Sequence, residues 1–203
     1  KGRHHLFLAN TLGGYQNAFK DYSDPIILQH LMSEDLIHWK ILPLPAMRPD
    51  GGQFENGTFF VNDKGEVVFL FYGEHRPGNI PYMAVSRDDE LRDWQLQPDT
   101  VTVNGVPSDL RRRHDPSAVW RHGDTWFMTA TTACPDASTM RLPLYRSKDL
   151  VNWDYAGLFY EDAKARPVNE CGQLFPLAGR HVFASSHTLA ENATYLTGKV
   201  NED

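Results

Sequence analysis

The chain has 203 residues, 41% of them hydrophobic and 23% charged, which fits one well-packed domain or part of a larger one. Its formal net charge of −6, with no basic cluster beyond Arg111-Arg112-Arg113, argues against nucleic acid or an anionic membrane as the main partner. No apolar run is long enough to span a bilayer, and no secretory leader is visible ahead of the strand-like residues after Lys1-Gly2-Arg3.

Taken in chain order, the elements repeat. A Gly turn leading into an apolar strand recurs as Lys1-Gly2 into His5-Leu6-Phe7-Leu8, then Lys64-Gly65 into Val67-Val68-Phe69-Leu70-Phe71-Tyr72. Further copies are His122-Gly123 into Thr125-Trp126-Phe127-Met128, and Ala178-Gly179 into His181-Val182-Phe183-Ala184. Interleaved with them is Ser-x-Asp-Leu-x-x-Trp, from Ser33 to Trp39 and from Ser147 to Trp153. A looser copy runs from Ser86-Arg87-Asp88 through Leu91 to Trp94. A period of about 60 residues built from short strands is the signature of a β-propeller blade, a sheet that buries its faces only by stacking on neighbours. Trp39, Trp94 and Trp153 are expected in the core, filling the spaces between blades. The Ser and Asp of each unit are expected to cap the preceding turn through local backbone amides. The 13 Pro and 15 Gly punctuate short strands rather than helices. The expected fold is all-β: a single propeller domain over residues 1–203 with roughly three and a half blades present. Blades are expected to be missing at one or both ends, because an open propeller leaves strand edges unpaired.

Two acidic motifs stand out within these repeats, Arg113-His114-Asp115-Pro116 and Asn169-Glu170-Cys171-Gly172. Aromatic and aliphatic residues surround them, Val119, Trp120 and Trp126 near the first and Leu174 and Phe175 near the second. Two carboxylates delivered from different repeats toward one place are the minimum equipment for glycosidic bond cleavage. The aromatic content of 12%, with five Trp, suits stacking on sugar rings as well as it suits a β-core. The plainer readings are a turn at Asp115-Pro116 and a loop acid at Glu170. Asp24-Pro25 is read as a turn. The nine His show no metal spacing, and His4 and His5 in a strand point to opposite faces, so neither a metal nor a cofactor is expected. His114 and His187 are candidates for the propeller channel, and the other histidines read as surface or strand positions. Arg111 and Arg112 read as solvated loop. Cys134 and Cys171 are taken as thiols. Asn56-Gly57-Thr58 and Asn192-Ala193-Thr194 fit the glycosylation pattern, which often arises by chance.

Several segments, in order, resemble glycoside hydrolase family 32, the invertases, inulinases and levanases. They are Lys1 to Phe7, Gln29 to Trp39, Pro49-Asp50-Gly51-Gly52, His114-Asp115-Pro116, and Glu170-Cys171 with Leu174-Phe175-Pro176-Leu177. The resemblance implies a five-bladed β-propeller and a retaining hydrolase that removes terminal sugars from oligo- or polysaccharides. It implies Glu170 as acid/base, Asp115 as transition-state stabiliser, and a nucleophilic Asp in a segment upstream of residue 1. A retaining enzyme needs one carboxyl group that first protonates the leaving oxygen and then, ionised, activates water. Apolar surroundings and a neighbouring carboxylate are expected to favour the protonated form of Glu170. Arg113, His114 and Cys171 would contact substrate, together with Phe54, Glu55 and Asn56, which stand where the family has Phe-Ser-Gly. His114 replaces an Arg of the family motif, Leu28 a Trp, and Gly172 a Pro, while the family's strand-ending Gln falls near Ala9 or Asn10. These changes leave three readings open: a β-fructosidase, a propeller glycosidase or phosphorylase for another sugar such as arabinose, and a non-catalytic carbohydrate-binding propeller. In each the partner is a carbohydrate, and the expected residence is extracellular or periplasmic.

Overall fold

The computed structural model describes residues 2–11, 26–43, 57–71, 81–97, 101–110, 114–132, 140–162, 170–187 and 192–200. These form four consecutive sheets. The first is β1 (His4–Thr11), β2 (Ile26–Ser33) and β3 (Trp39–Ile41), and the second is β4 (Gly57–Val61), β5 (Val67–Phe71), β6 (Tyr82–Ser86) and β7 (Trp94–Gln97). The third contains β8 (Thr102–Asn104), β9 (His114–His122), β10 (Thr125–Thr132), β11 (Met140–Ser147) and β12 (Asn152–Asp162). Its last four strands form an antiparallel meander, and β8 joins the edge parallel to β12. The fourth is β13 (Glu170–Leu177), β14 (Arg180–His187) and β15 (Asn192–Gly198). Strand β9 lies against β4 on one side and β13 on the other, so the opening strands of successive sheets face one another. That is the stacking of propeller blades around an axis, and the all-β expectation holds.

The repeats explain the strands. Gly65, Gly123 and Gly179 sit at the turns joining β4 to β5, β9 to β10 and β13 to β14, with φ of 77°, 59° and 76°. Only glycine adopts such angles freely. Gly2, just ahead of β1, has φ 74°. The shared geometry aligns β1 with β5, β10 and β14, the second strands of their blades.

The Ser-x-Asp-Leu units form one recurring loop. The Ser147 hydroxyl donates to Asp149 Oδ1 at 3.1 Å and accepts the Leu150 amide at 2.9 Å. Asp149 Oδ1 accepts the amides of Val151 and Asn152 at 2.9 and 2.7 Å. Ser33 and Asp35 repeat the pattern. The amides held by these side chains follow them in sequence, which corrects the expectation that they cap a preceding turn. Leu36, Leu91 and Leu150 take left-handed backbones, with φ of 64°, 53° and 66°, so that each carbonyl accepts the indole N–H three residues on.

Packing then separates the three tryptophans. Trp153 is fully buried with Val68, Leu70 and Met83 of the preceding blade. Trp94, 7% exposed, packs with Leu28 and Phe7 of the first. Each therefore plugs the seam to the blade before it. Trp39 is 36% exposed, contrary to the expectation of a core residue, because no described strand covers its face of the first blade. Leu6, Leu8 and Ile41 are likewise exposed.

At the seam of the first and second blades the rings form a column. His30 stacks on Phe7 at 4.2 Å, Phe7 on Phe59 at 4.5 Å, and Phe59 on Phe69 at 4.1 Å. Phe71 and Tyr82 extend it at 4.5 and 5.4 Å. Between the third and fourth blades lies a cavity of about 400 Å³, lined by Trp120, Phe127, Leu144, Phe159, Leu174 and Phe175 among others.

Candidate functional site

Asp115, the second residue of β9, is 8% exposed and pairs in register with Thr131 of β10. The Ser117 hydroxyl donates to its main-chain carbonyl at 3.1 Å. The main-chain N–H of Cys171 donates to Asp115 Oδ2 at 3.2 Å, across 56 residues of sequence. The two acidic motifs thus meet through the Cys171 main chain and the Asp115 carboxylate. Glu170 opens β13 opposite Ser186, and the register slips between Glu170 and Gln173. Such an irregularity turns the strand and re-aims its side chains. Within it Cys171 has φ 54°, a left-handed conformation costly for a non-glycine residue.

Gly172 is buried, and its Cα faces Thr131 Cγ2, Phe183 and Ser117. An added Cβ would meet Thr131 Cγ2 in collision and stand 2.8 Å from Phe183 Cζ and 2.9 Å from Ser117 Oγ. The Gln173 amide reaches the Gly57 carbonyl at 3.4 Å, bringing in the start of β4. The beginnings of β4, β9 and β13 therefore converge at one end of the blades, each delivering residues to the same space.

The expected site residues fall unevenly across this geometry. Asp115 and Cys171 are brought together, and the contact runs through the Cys171 backbone, while its residue is exposed. His114 opens β9 opposite Thr132. The side chains of Glu170 and His114 lie outside the described residues, as do Arg113, Phe54, Glu55 and Asn56, the last three immediately preceding β4. Asp24-Pro25, Cys134 and the side chain of His187 are outside them too. Ser117, Thr131 and Gln173 were not singled out in the sequence, and Gly172 stood out only as a replacement of the family's Pro. Strand alternation could have found Ser117, two residues from Asp115; the others depend on cross-strand neighbours. Thr131 Oγ1 is buried without a hydrogen-bond partner among the described residues. The cavity between the third and fourth blades begins at Ala118 and runs to the far end of β9. It is a seam between blades, and Asp115 does not line it.

Electrostatics elsewhere are set by burial and by the loops. His30 is fully buried, and its Nε2 lies 2.9 Å from His5 Nδ1. Burial, reinforced by the neighbouring His5, pushes His30 from the ordinary 6.5 down to about 4; Nδ1 of His30 has no partner among the described residues. Burial would raise Asp149, but the amides of Asn152 and Val151 and the Asn152 and Ser147 side chains outweigh it and hold the carboxyl at about 2. Among the described residues no cluster of His, Cys, Asp or Glu could hold a metal ion, and no helix is long and apolar enough to cross a membrane.

A family model described as "Glycosyl hydrolases family 32 N-terminal domain" matches residues 1–203. The chain is similar to sucrose-6-phosphate hydrolase of Escherichia coli, 28% identical over 95% of this chain and 41% of that protein. It is 30% identical to "Beta-fructofuranosidase, insoluble isoenzyme CWINV3" of Arabidopsis thaliana, over 88% of this chain and 31% of that one. It therefore spans less than half the length of these relatives. Among solved structures, fructan 1-exohydrolase IIa from Cichorium intybus superposes with a TM-score of 0.74 at 21% identity, covering 100% of this chain and 40% of its own. That likeness speaks for the fold alone, a propeller of the five-bladed type. With the motifs in order, the blades in series and a family match over residues 1–203, the chain belongs to glycoside hydrolase family 32.

Proposed function

We propose that this chain is part of a retaining glycoside hydrolase of the β-fructosidase kind, which releases terminal sugars from oligo- or polysaccharides. The observation that carries the reading is the junction of the two acidic motifs, where the Cys171 amide meets Asp115 Oδ2 at 3.2 Å. That junction brings the start of β13, where Glu170 lies in the sequence, to the Asp115 strand, and a two-carboxylate site needs such a convergence. Glu170 protonates the leaving oxygen and, once ionised, takes the proton of the incoming water. Asp115 stays ionised, holds sugar hydroxyls and balances the positive charge that builds at the anomeric carbon. A nucleophilic Asp from a segment upstream of residue 1 forms the covalent intermediate. The alignment of β1 with second strands supports this, because the strands equivalent to β4, β9 and β13 carry the site. Arg113, His114 and the Phe54-Glu55-Asn56 segment shape the sugar subsite. Residence outside the cytoplasm is part of the reading where the substrate is a polymer, which cannot cross a membrane.

The test is sugar release from sucrose, inulin, levan and arabinan by the full reading frame containing this chain. Glu170→Gln should lower kcat by roughly 10²- to 10⁴-fold. Release that survives the substitution would remove Glu170 from the mechanism. Absence of release with sugar binding intact would favour a non-catalytic carbohydrate-binding propeller, for which the rewritten subsite is the motive.

A further inference from the structure

We infer that Cys171 and Gly172 are positioning residues that fasten the start of β13 onto the Asp115 strand; the inference rests on the hydrolase reading for its catalytic meaning. The left-handed Cys171, φ 54°, rotates its N–H onto Asp115 Oδ2 at 3.2 Å. In the adjoining residue, the bare Cα of Gly172 lets the strand lie flat on Thr131, Ser117 and Phe183. All three are buried, and two of them adjoin the Asp115 main chain: Thr131 is its register partner and the Ser117 hydroxyl donates to its main-chain carbonyl. The slip of register between Glu170 and Gln173 is the price of this fit. Without it β13 would run straight, and the Cys171 amide would enter the sheet ladder instead of meeting the carboxylate.

Two consequences separate this role from a chemical role of the thiol. The demand at position 171 is for a left-handed backbone, which glycine and asparagine meet and β-branched residues do not. The demand at position 172 is for the absence of a Cβ, and removing the methyl group opposite relieves it in part, since Phe183 Cζ and Ser117 Oγ stay at 2.8 and 2.9 Å. Thr131→Ser deletes Cγ2 and leaves the hydroxyl.

The experiment uses the full reading frame with sucrose and inulin as substrates. Gly172→Ala should lower kcat by roughly 100-fold with a smaller change in KM, the size of effect that a misplacement of about 1 Å produces. Adding Thr131→Ser should recover part of the loss, because it removes the tightest of the three contacts. Cys171→Gly should exceed Cys171→Val in kcat by roughly tenfold or more. Equal activity in the two Cys171 variants, or Gly172→Ala with unchanged kcat, would overturn the inference. A readout independent of turnover is hydrogen exchange at the Cys171 amide. It should be protected in the unaltered protein and exchange roughly ten times faster or more in Asp115→Ala. Equal exchange rates would sink the proposed fastening even if the enzyme is active. An unaltered protein that releases no sugar but shows the exchange difference would overturn the hydrolase reading and leave the fastening standing.

Discussion

The loop at Ser147 to Trp153 and the loop at Ser33 to Trp39 are built alike and buried differently. In both, a serine and an aspartate hold the following amides, a leucine turns left-handed, and an indole N–H returns to its carbonyl. Yet Trp153 is fully buried and Trp39 is 36% exposed. The hydrogen bonds are local, so seven residues are enough to encode them. Burial comes from the neighbouring blade, which no local sequence supplies. Shape and stability therefore have different origins in this repeat.

That contrast can be broken or sharpened by experiment. The largest effect is expected at the seams: Trp153→Ala should destabilise by about 4 kcal/mol in urea unfolding, whereas Trp39→Ala should cost less than about 1 kcal/mol. Similar losses at the two positions would mean that Trp39 is covered in the working protein. The next effect is a pH dependence. His30 is held at about 4 against an ordinary 6.5, so between those values the unfolded chain binds the proton that the folded one refuses. Stability should then be full above pH 6.5 and fall by about 3 kcal/mol as pH drops toward 4. Asp149, held at about 2, acts in a lower window: its contribution is present above its ordinary pKa and is lost as pH falls through about 2. His30→Gln should flatten the upper window and leave the lower one, and a slope that persists between pH 6.5 and 4 would assign it to another group. The smallest effect lies in the leucines. Leu36→Asn should stabilise by about 0.5 kcal/mol, because the residue is exposed and its left-handed backbone is relieved. Leu150→Asn, buried in the seam, should destabilise by about 2 kcal/mol. Thermal unfolding of the pair reads the opposite signs directly.

Much of the fold was legible because its signals are short-range. The Gly turns and the Ser-x-Asp-Leu-x-x-Trp loops lie within single hairpins, and their spacing alone implied blades. Asp115 and Glu170-Cys171 could be read for a related reason, since each motif sits at the start of an opening strand. What could not be read is what one strand does to another. The Cys171 amide reaches Asp115 across two blades, Gly172 lies against Thr131 and Ser117, and His5 meets His30 between strands. Each is a contact between residues whose types alone are ordinary. The exposure of Trp39 among the described residues has the same origin: the loop encodes the plug, and the socket is supplied by another strand.

The stacked rings between the first two blades have an optical meaning. His30, Phe7, Phe59, Phe69, Phe71 and Tyr82 are held face to face, and Trp94 stands edge-on to Phe7, Phe59 and Phe69 at 6.0, 5.9 and 6.4 Å. Chromophores fixed in so dense and asymmetric an array produce near-ultraviolet circular dichroism, which disappears when tertiary packing loosens even if strands persist. Tyr82 and the indole of Trp94 belong to the same buried cluster. The molecule thus carries a native gauge of whether its first blade is seated, readable without a label and separable from the far-ultraviolet signal of its sheets.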